Sequence, residues 1–182
     1  VVGSFVMDLI VSTKRFPNAG ETVIGCGFST APGGKGANQA IQASRLGADV
    51  FMVGKVGNDN YGKELLKSAE ESGVNIELTT QTSEYPSAIG NVQIEVGENR
   101  IVVVPGANMQ IVREDVAVLK KMIADFDMAI LQNEIPMEIN IIIAEFAEEF
   151  GVPVMFNPAP SGKIPHELFS RLTYISPNEH EA

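Results

Sequence analysis

Three glycines within four positions, in the stretch Ala31-Pro32-Gly33-Gly34-Lys35-Gly36-Ala37-Asn38-Gln39-Ala40, constrain this chain more than any other feature. Glycine lets a backbone approach a neighbour closely and adopt positive φ at little steric cost. Lys35 adds one mobile cation, and Ala37, Ala40, Ile41, Ser44 and Leu46 then mark an amphipathic helix with a small-residue face. Such a helix can sit close against a sheet. A glycine-rich loop feeding a helix N-terminus is expected to leave N–H groups and the helix dipole for an electron-rich ligand. The plain alternative is a turn that only joins a strand to a helix.

Two familiar phosphate-binding patterns fail here. A Walker A loop needs Ser or Thr after Gly-Lys, but Gly36 follows Lys35, and Ser29 stands where its first glycine belongs. A dinucleotide fingerprint begun at Gly34 or Gly25 ends at Gln39 or Thr30 instead of glycine.

A net charge of −10 argues against nucleic acid and anionic membrane surfaces as partners. The single Cys26 excludes an internal disulfide framework, and His166 and His180 are too few and too far apart for a zinc site. The apolar runs are shorter than a membrane span, and no secretory signal is evident. These features lead to the expectation of a cytoplasmic protein. The chain starts inside the apolar run Val1-Val2-Gly3 without Met and stops where a helix begins, which is the pattern expected of a piece of a longer protein.

In chain order, Val1-Val2 reads as a strand end, Leu9–Val11 as a short strand, and Glu21–Ser29 as extended. The loop helix closes at Gly47; Asp49–Gly54 is a continuous apolar strand; Asn60–Ser72 is a helix ended by Gly73. Between Ile89 and Val104 the period is two, with a turn at Gly97-Glu98-Asn99, which predicts a hairpin. Helices over 112–124, 136–150 and 166–172 alternate with strands over 127–132, 152–156 and 173–176. Repeated strand–helix–strand units imply parallel strands with helices on both faces. The fold class expected is therefore α/β, a three-layer α/β/α arrangement with a mainly parallel sheet. Residues of about 9–30 and 87–105 do not fit that sheet and are assigned to a small antiparallel β lid inserted into one domain spanning 1–182.

In such sheets ligands bind beyond the carboxyl ends of the strands. Glu134, Asn157, Asn178 and Glu181 follow predicted strands, and Asp8 and Lys35–Asn38 come from the N-terminal part. Carboxylates accept hydroxyl protons, and an Asn both donates and accepts. Each has a local alternative, such as a turn role for Asn157 or a first-turn helix role for Glu181.

Gly33–Ala40, with Arg45-Leu46-Gly47-Ala48 and Gly54–Asp59, resembles the first signature of the PfkB carbohydrate kinases. Asn157-Pro158-Ala159-Pro160, Pro105-Gly106-Ala107-Asn108 and Pro177–Ala182 are similar to the same family, and the resemblance runs the whole length. It implies ATP-dependent phosphorylation of a pentose, ribose to ribose 5-phosphate. Carried over by position, Asp8, Gly34, Lys35, Asn38 and Glu134 would hold sugar hydroxyls, Asn178 would meet nucleotide phosphates, and Glu181 would organise Mg²⁺. ATP and Mg²⁺ are the implied cofactors, with a monovalent cation such as K⁺ as a further one. The lid would pair two subunits into a homodimer. Val6 departs from the family pattern, which has a polar residue there, so another pentose, fructose or a nucleoside stays open as substrate. The Gly-Ala-Gly-Asp segment that carries the family's catalytic base is not in this sequence, nor is most of its nucleotide pocket, so this chain is expected to be inactive alone. A non-catalytic sugar-binding module is the alternative of another class; a Rossmann-type oxidoreductase is disfavoured by the failed fingerprint.

Overall fold

Val2 sits in the middle of a parallel body sheet. Its N–H donates to the Ile130 carbonyl (3.0 Å) on one side, and the Gly3 and Val53 N–H groups donate to Val53 and Val1 carbonyls (2.9 Å each) on the other. Phe51 in turn bridges Asn75 in parallel. These contacts are seen in a computed structural model that describes residues 1–179 and 181.

The strands are β1 (Val6–Ser12), β2 (Gly27–Gly33), β3 (Lys55–Gly57), β4 (Thr80–Thr82), β5 (Ala88–Glu95), β6 (Glu98–Val104), β7 (Ala129–Gln132), β8 (Val154–Asn157) and β9 (Tyr174–Ile175). The helices are α1 (Lys35–Arg45), α2 (Asn60–Glu71), α3 (Arg113–Val116), α4 (Leu119–Met122), α5 (Met137–Phe150) and α6 (His166–Phe169). β3 pairs with β4, and β7, β8 and β9 lie in that order, all in parallel. Met52 and Val53 are successive residues of one strand, so their side chains leave on opposite faces. Met52 packs with Phe5, Ala40, Leu65 and Ala69, whereas Val53 packs with Leu131, Ile139, Ile143 and Val154. The two cores place α1 and α2 on one face and α5 on the other, which is the three-layer α/β/α arrangement expected.

Local chemistry accounts for the helix limits. Asp59 caps α2 by accepting the Gly62 N–H (2.7 Å). Gly151 ends α5 in the left-handed conformation (φ 72°), which glycine adopts without the Cβ penalty. The predicted helix over 112–124 is instead broken into α3, α4 and a 3₁₀ turn at Ile123–Asp125. Val116, Leu119 and Ile123 still reach the core at the i, i+3, i+7 spacing of one helix face, so the interrupted segment keeps the burial pattern of the helix it was expected to be.

A second sheet, ordered β2-β1-β5-β6, rises from the body. It is not wholly antiparallel as expected. β1·β2 and β5·β6 are antiparallel hairpin pairs, but β1 and β5 run parallel, Val6 opposite Ala88 through Ser12 opposite Ile94. Both central strands leave the body side by side and in one direction, so they can only pair that way. β2 also runs further than the predicted extended stretch, passing directly into the glycine-rich loop at Gly33.

That loop brings α1 unusually near the first strand. An alanine at Gly36 would set its Cβ 2.5 Å from the Ser4 nitrogen and 2.7 Å from the Gly3 carbonyl carbon. We predict that Gly36→Ala lowers stability by about 1–3 kcal/mol through overpacking. The check is a urea unfolding midpoint, and an unchanged value would contradict this account of α1.

Candidate active site

The site is built where lid, body and α1 meet. Asp8 projects from β1 between two glycines of the flanking strands. A Cβ at Gly33 of β2 would lie 3.0 Å from Asp8 Oδ2, and one at Gly90 of β5 would lie 2.3 Å from Oδ1. Gly90 is directly opposite Asp8 in the β1·β5 register. The carboxylate therefore has a slot that any side chain at position 90 would fill.

Gly34 precedes α1 with φ 98°, and a Cβ there would stand 2.8 Å from the Ser4 carbonyl oxygen and the Val6 nitrogen. This left-handed turn is what lets the chain double back onto the first strand. Glu134, two residues beyond β7, locks the arrangement. Its Oε2 accepts the Lys35 N–H (2.8 Å) and the Ser4 hydroxyl (2.5 Å). The Ser4 hydroxyl oxygen accepts the Gly36 N–H (3.2 Å), and the Ser4 carbonyl accepts the Ala37 N–H (2.9 Å). The expectation of free N–H groups at the start of α1 is thus overturned. They are used by Glu134 and Ser4, and the helix dipole acts on the Glu134 carboxylate instead of on a ligand directly. Among the described residues the donors to Glu134 are Ser4 and Lys35, which both meet Oε2, and none meets Oε1.

Partial burial, and then the negative charge of Glu134, push the Asp8 carboxyl above the usual carboxylate range. Asp8, Lys35 and Glu134 are all half-buried, and the two carboxylates suit a neutral ligand that offers several hydroxyl donors.

Of the residues singled out from sequence, Asp8, Gly34, Lys35 and Glu134 are brought together here. Asn38 lies one turn into α1 with its N–H on the Gly34 carbonyl (2.8 Å) and its side chain exposed. Asn178 and Glu181 follow β9, two strands along from β7, or ~10 Å laterally at usual strand spacing. They form a reciprocal cap: the Asn178 N–H and Nδ2 donate to the Glu181 carboxylate (3.0 and 3.1 Å), and the Glu181 N–H donates to Asn178 Oδ1 (3.0 Å). His180 and Ala182 of that motif lie outside the described residues. Asn157 Nδ2 donates to the Ser176 carbonyl (2.6 Å), 19 residues on, which ties the end of β8 to the exit of β9 instead of serving a turn. Among the described residues no group of three His, Cys, Asp or Glu side chains could hold a metal by itself, and no helix is long and apolar enough to cross a membrane.

Sequence reasoning missed Ser4, Gly90 and Gln132. Gly90 inside a strand was a usable signal, since glycine there marks a close approach. The wholly buried Gln132 donates through Nε2 to Gln39 Oε1 (2.7 Å), joining β7 to α1 behind the site.

The model of the pfkB family of carbohydrate kinases matches residues 1–182, and the chain belongs to that family. It is 42% identical over 182 residues to the ribokinase of Bacillus subtilis and 44% identical over 184 residues to that of Lactococcus lactis. Those alignments take in 100% of this chain but 62% and 60% of the two relatives, so the chain spans about three fifths of their length. The structure of Arabidopsis thaliana ribokinase complexed with ribose and ATP superposes with a TM-score of 0.88 at 32% identity, covering 99% of this chain and 59% of that one. The fold is ribokinase-like.

Burial and the Glu134 charge make the ionised form of Asp8 costlier in the folded protein than in the unfolded chain. A carboxyl whose folded pKa is raised binds protons more tightly folded than unfolded, so its contribution to stability falls as pH rises through that window. Asp8→Asn should therefore raise the thermal midpoint at pH 7, with the gain shrinking as pH drops through the carboxyl's own titration. Scanning calorimetry across pH tests this; a lowered midpoint at pH 7 would oppose it.

Proposed function

We propose that this chain forms the sugar-binding portion of a cytoplasmic ATP-dependent kinase that converts D-ribose to D-ribose 5-phosphate. The observation that carries the reading is the Asp8 carboxylate slotted between Gly33 and Gly90 and facing Glu134, within a chain of the pfkB family. The Arabidopsis relative, solved with ribose and ATP, supports the same pair of ligands here.

In this reading Asp8 and Glu134 Oε1 accept sugar hydroxyl protons, while Lys35 and Asn38 donate to ring or hydroxyl oxygens. Gly34 lets the backbone come within contact of the sugar. These residues fix the ribose so that its 5-hydroxyl points toward the β9 end. There Asn178 would contact the nucleotide phosphates. A lone, well-held carboxylate such as Glu181 fits Mg²⁺, which is bound through one or two carboxylates together with substrate phosphates. Bound there, the ion would neutralise charge developing on the transferred phosphoryl group. The attacking hydroxyl oxygen forms a bond to the γ-phosphorus, ADP leaves, and the hydroxyl proton passes to a base; no residue of this chain is assigned that role. A monovalent cation such as K⁺ belongs to the same proposal, without a residue here to hold it. The lid would close over the sugar and exclude water that competes for the phosphoryl group.

The test is ADP formation by the full-length gene product, with ribose, 2-deoxyribose, fructose and a nucleoside compared. Val6 makes the panel necessary, because its Cγ1 methyl would lie 3.7 Å from a Cβ at Gly90, the position that also borders the Asp8 carboxylate. Ribose preference is expected, and Asp8→Ala should weaken ribose binding about 10- to 100-fold, the worth of a charge-assisted hydrogen bond. Turnover only with another sugar would move the substrate, and ribose binding without turnover would make the protein a sensor.

The lid also supports a homodimer. All seven residues of β6 are exposed, Ile101 by 53% and Val102 by 66%, and these neighbours point to opposite faces of the sheet. An apolar edge strand open on both faces invites another chain. Sedimentation should show a dimer that Val102→Lys and Val104→Lys together dissociate; an unaltered monomer would end this part.

A further inference from the structure

Two side-chain pins stand where the body sheet gives way to the lid, and neither touches the proposed sugar contacts. The first is Asn108, only 1% exposed, in the 3₁₀ turn Gly106–Gln110. The Phe5 N–H donates to Asn108 Oδ1 (3.1 Å), and Asn108 Nδ2 donates to the Phe5 carbonyl (2.8 Å). A flipped amide would set donor against donor, so one orientation alone fits. Phe5 lies between Ser4, which holds Glu134, and Val6, which opens β1. Asn108 thus acts as a strand partner at the residue where the chain crosses from one sheet to the other.

The second pin is Asp59. Besides capping α2, its carboxylate accepts the Ser87 N–H and the Ser87 hydroxyl (2.8 Å each), and that hydroxyl oxygen accepts the Gly57 N–H (3.0 Å). Ser87 is the residue before β5. The fit is close: a Cβ at Gly57 would lie 2.4 Å from the Ser87 nitrogen, and one at Gly62 2.1 Å from the Gly57 carbonyl oxygen. Burial pushes the Asp59 carboxyl up, but hydrogen bonds from Ser87, Gly62 and Tyr61 outweigh it and hold the group below the usual range.

The pinned residues precede the first pair of the parallel β1·β5 ladder, Val6 and Ala88, and the third pair is Asp8 and Gly90. The outer strands join the body differently, at Gly34 (φ 98°) and Gly106 (φ 47°). The lid is pinned along its middle and jointed at its rims.

We propose that Asn108 and Asp59 are positioning residues: by fixing Phe5 and Ser87 they set β1 against β5 and hold the Asp8 carboxylate in its slot facing Glu134. The functional consequence rests on the sugar-site reading above. Asp8 is three residues from Phe5, or about 10 Å of strand, so a tilt of about 6° at an unpinned Phe5 moves the carboxylate by about 1 Å. A displacement of that size can cost about 100-fold where geometry matters.

The experiment compares the full-length gene product with its Asn108→Ala, Ser87→Ala and Asp8→Asn variants. Amide hydrogen exchange is followed in β1, β5, β7 and β8, the Asp8 carboxyl is titrated by ¹³C NMR, and ribose binding is measured by calorimetry. Either pin variant should speed exchange in β1 and β5 at least tenfold while β7 and β8 stay protected. It should also bring the Asp8 carboxyl down toward its ordinary range and weaken ribose binding at least tenfold. Unchanged exchange and titration at Asp8 would overturn the inference, and so would equal acceleration in β7 and β8, which marks general destabilisation. If Asn108→Ala does not fold, Ser87→Ala carries the comparison, since it removes one hydroxyl and leaves the α2 cap. If exchange and titration respond as expected but Asp8→Asn binds ribose as tightly as the unaltered chain, the pins stand and the sugar-site reading falls.

Discussion

The Glu134 carboxylate on the first turn of α1 is the contact on which the site depends. One oxygen joins three segments far apart in sequence: the end of the first body strand through Ser4, the start of α1 through Lys35, and the exit of β7 that carries Glu134 itself. The favourable field of the helix N-terminus and two hydrogen bonds keep the group oriented. Without it, the doubled-back Gly34 turn would leave N–H groups of α1 buried and unmatched, a cost of roughly 1–3 kcal/mol each. The same carboxylate then presents its second oxygen to the space under the lid.

Glycine spacing made much of this readable in advance. Gly33, Gly34 and Gly36 each turn out to be required by a different neighbour: the Asp8 carboxylate, the Ser4–Val6 backbone, and the Gly3–Ser4 backbone. The strand–helix alternation from Ala129 onward and the stops at Gly73 and Gly151 were likewise legible, because periodicity and capping are local properties. What could not be read was everything decided between segments. Whether β1 pairs with β5 in parallel is not written in either strand. Nor does the sequence say that Ser4 and Glu134, 130 positions apart, will close the helix end that a local reading leaves open to ligand. At Glu181 the local alternative, a first-turn helix role favoured by the dipole, fits the reciprocal cap with Asn178, a partner that reading did not name.

Lid and body share one strand-to-strand continuity but obey different rules. The central body strands are covered on both faces, and the residues at their centres are apolar, as in Val53, Leu131 and Val154. The lid alternates, and it leaves β6 uncovered altogether. Polar side chains are buried chiefly at the seam: Ser4, Ser87 and Asn108, with Gln132 and Asn140 close behind it. Where such a group is satisfied on both sides, as the Asn108 amide is by Phe5, only one arrangement fits. The seam is therefore the part of the molecule where exact placement is enforced by chemistry rather than by shape.

Burial and the charge of Glu134 both disfavour the ionised Asp8 carboxylate, while Ser4 and Lys35 hold Glu134 in place and the glycine slot holds Asp8. A ligand that donates hydrogen bonds to the pair removes that penalty as it binds. Occupancy and folding then become one linked equilibrium: the ligand supplies an interaction that the polypeptide lacks, and the time a molecule spends open to proteases depends on how much ligand surrounds it.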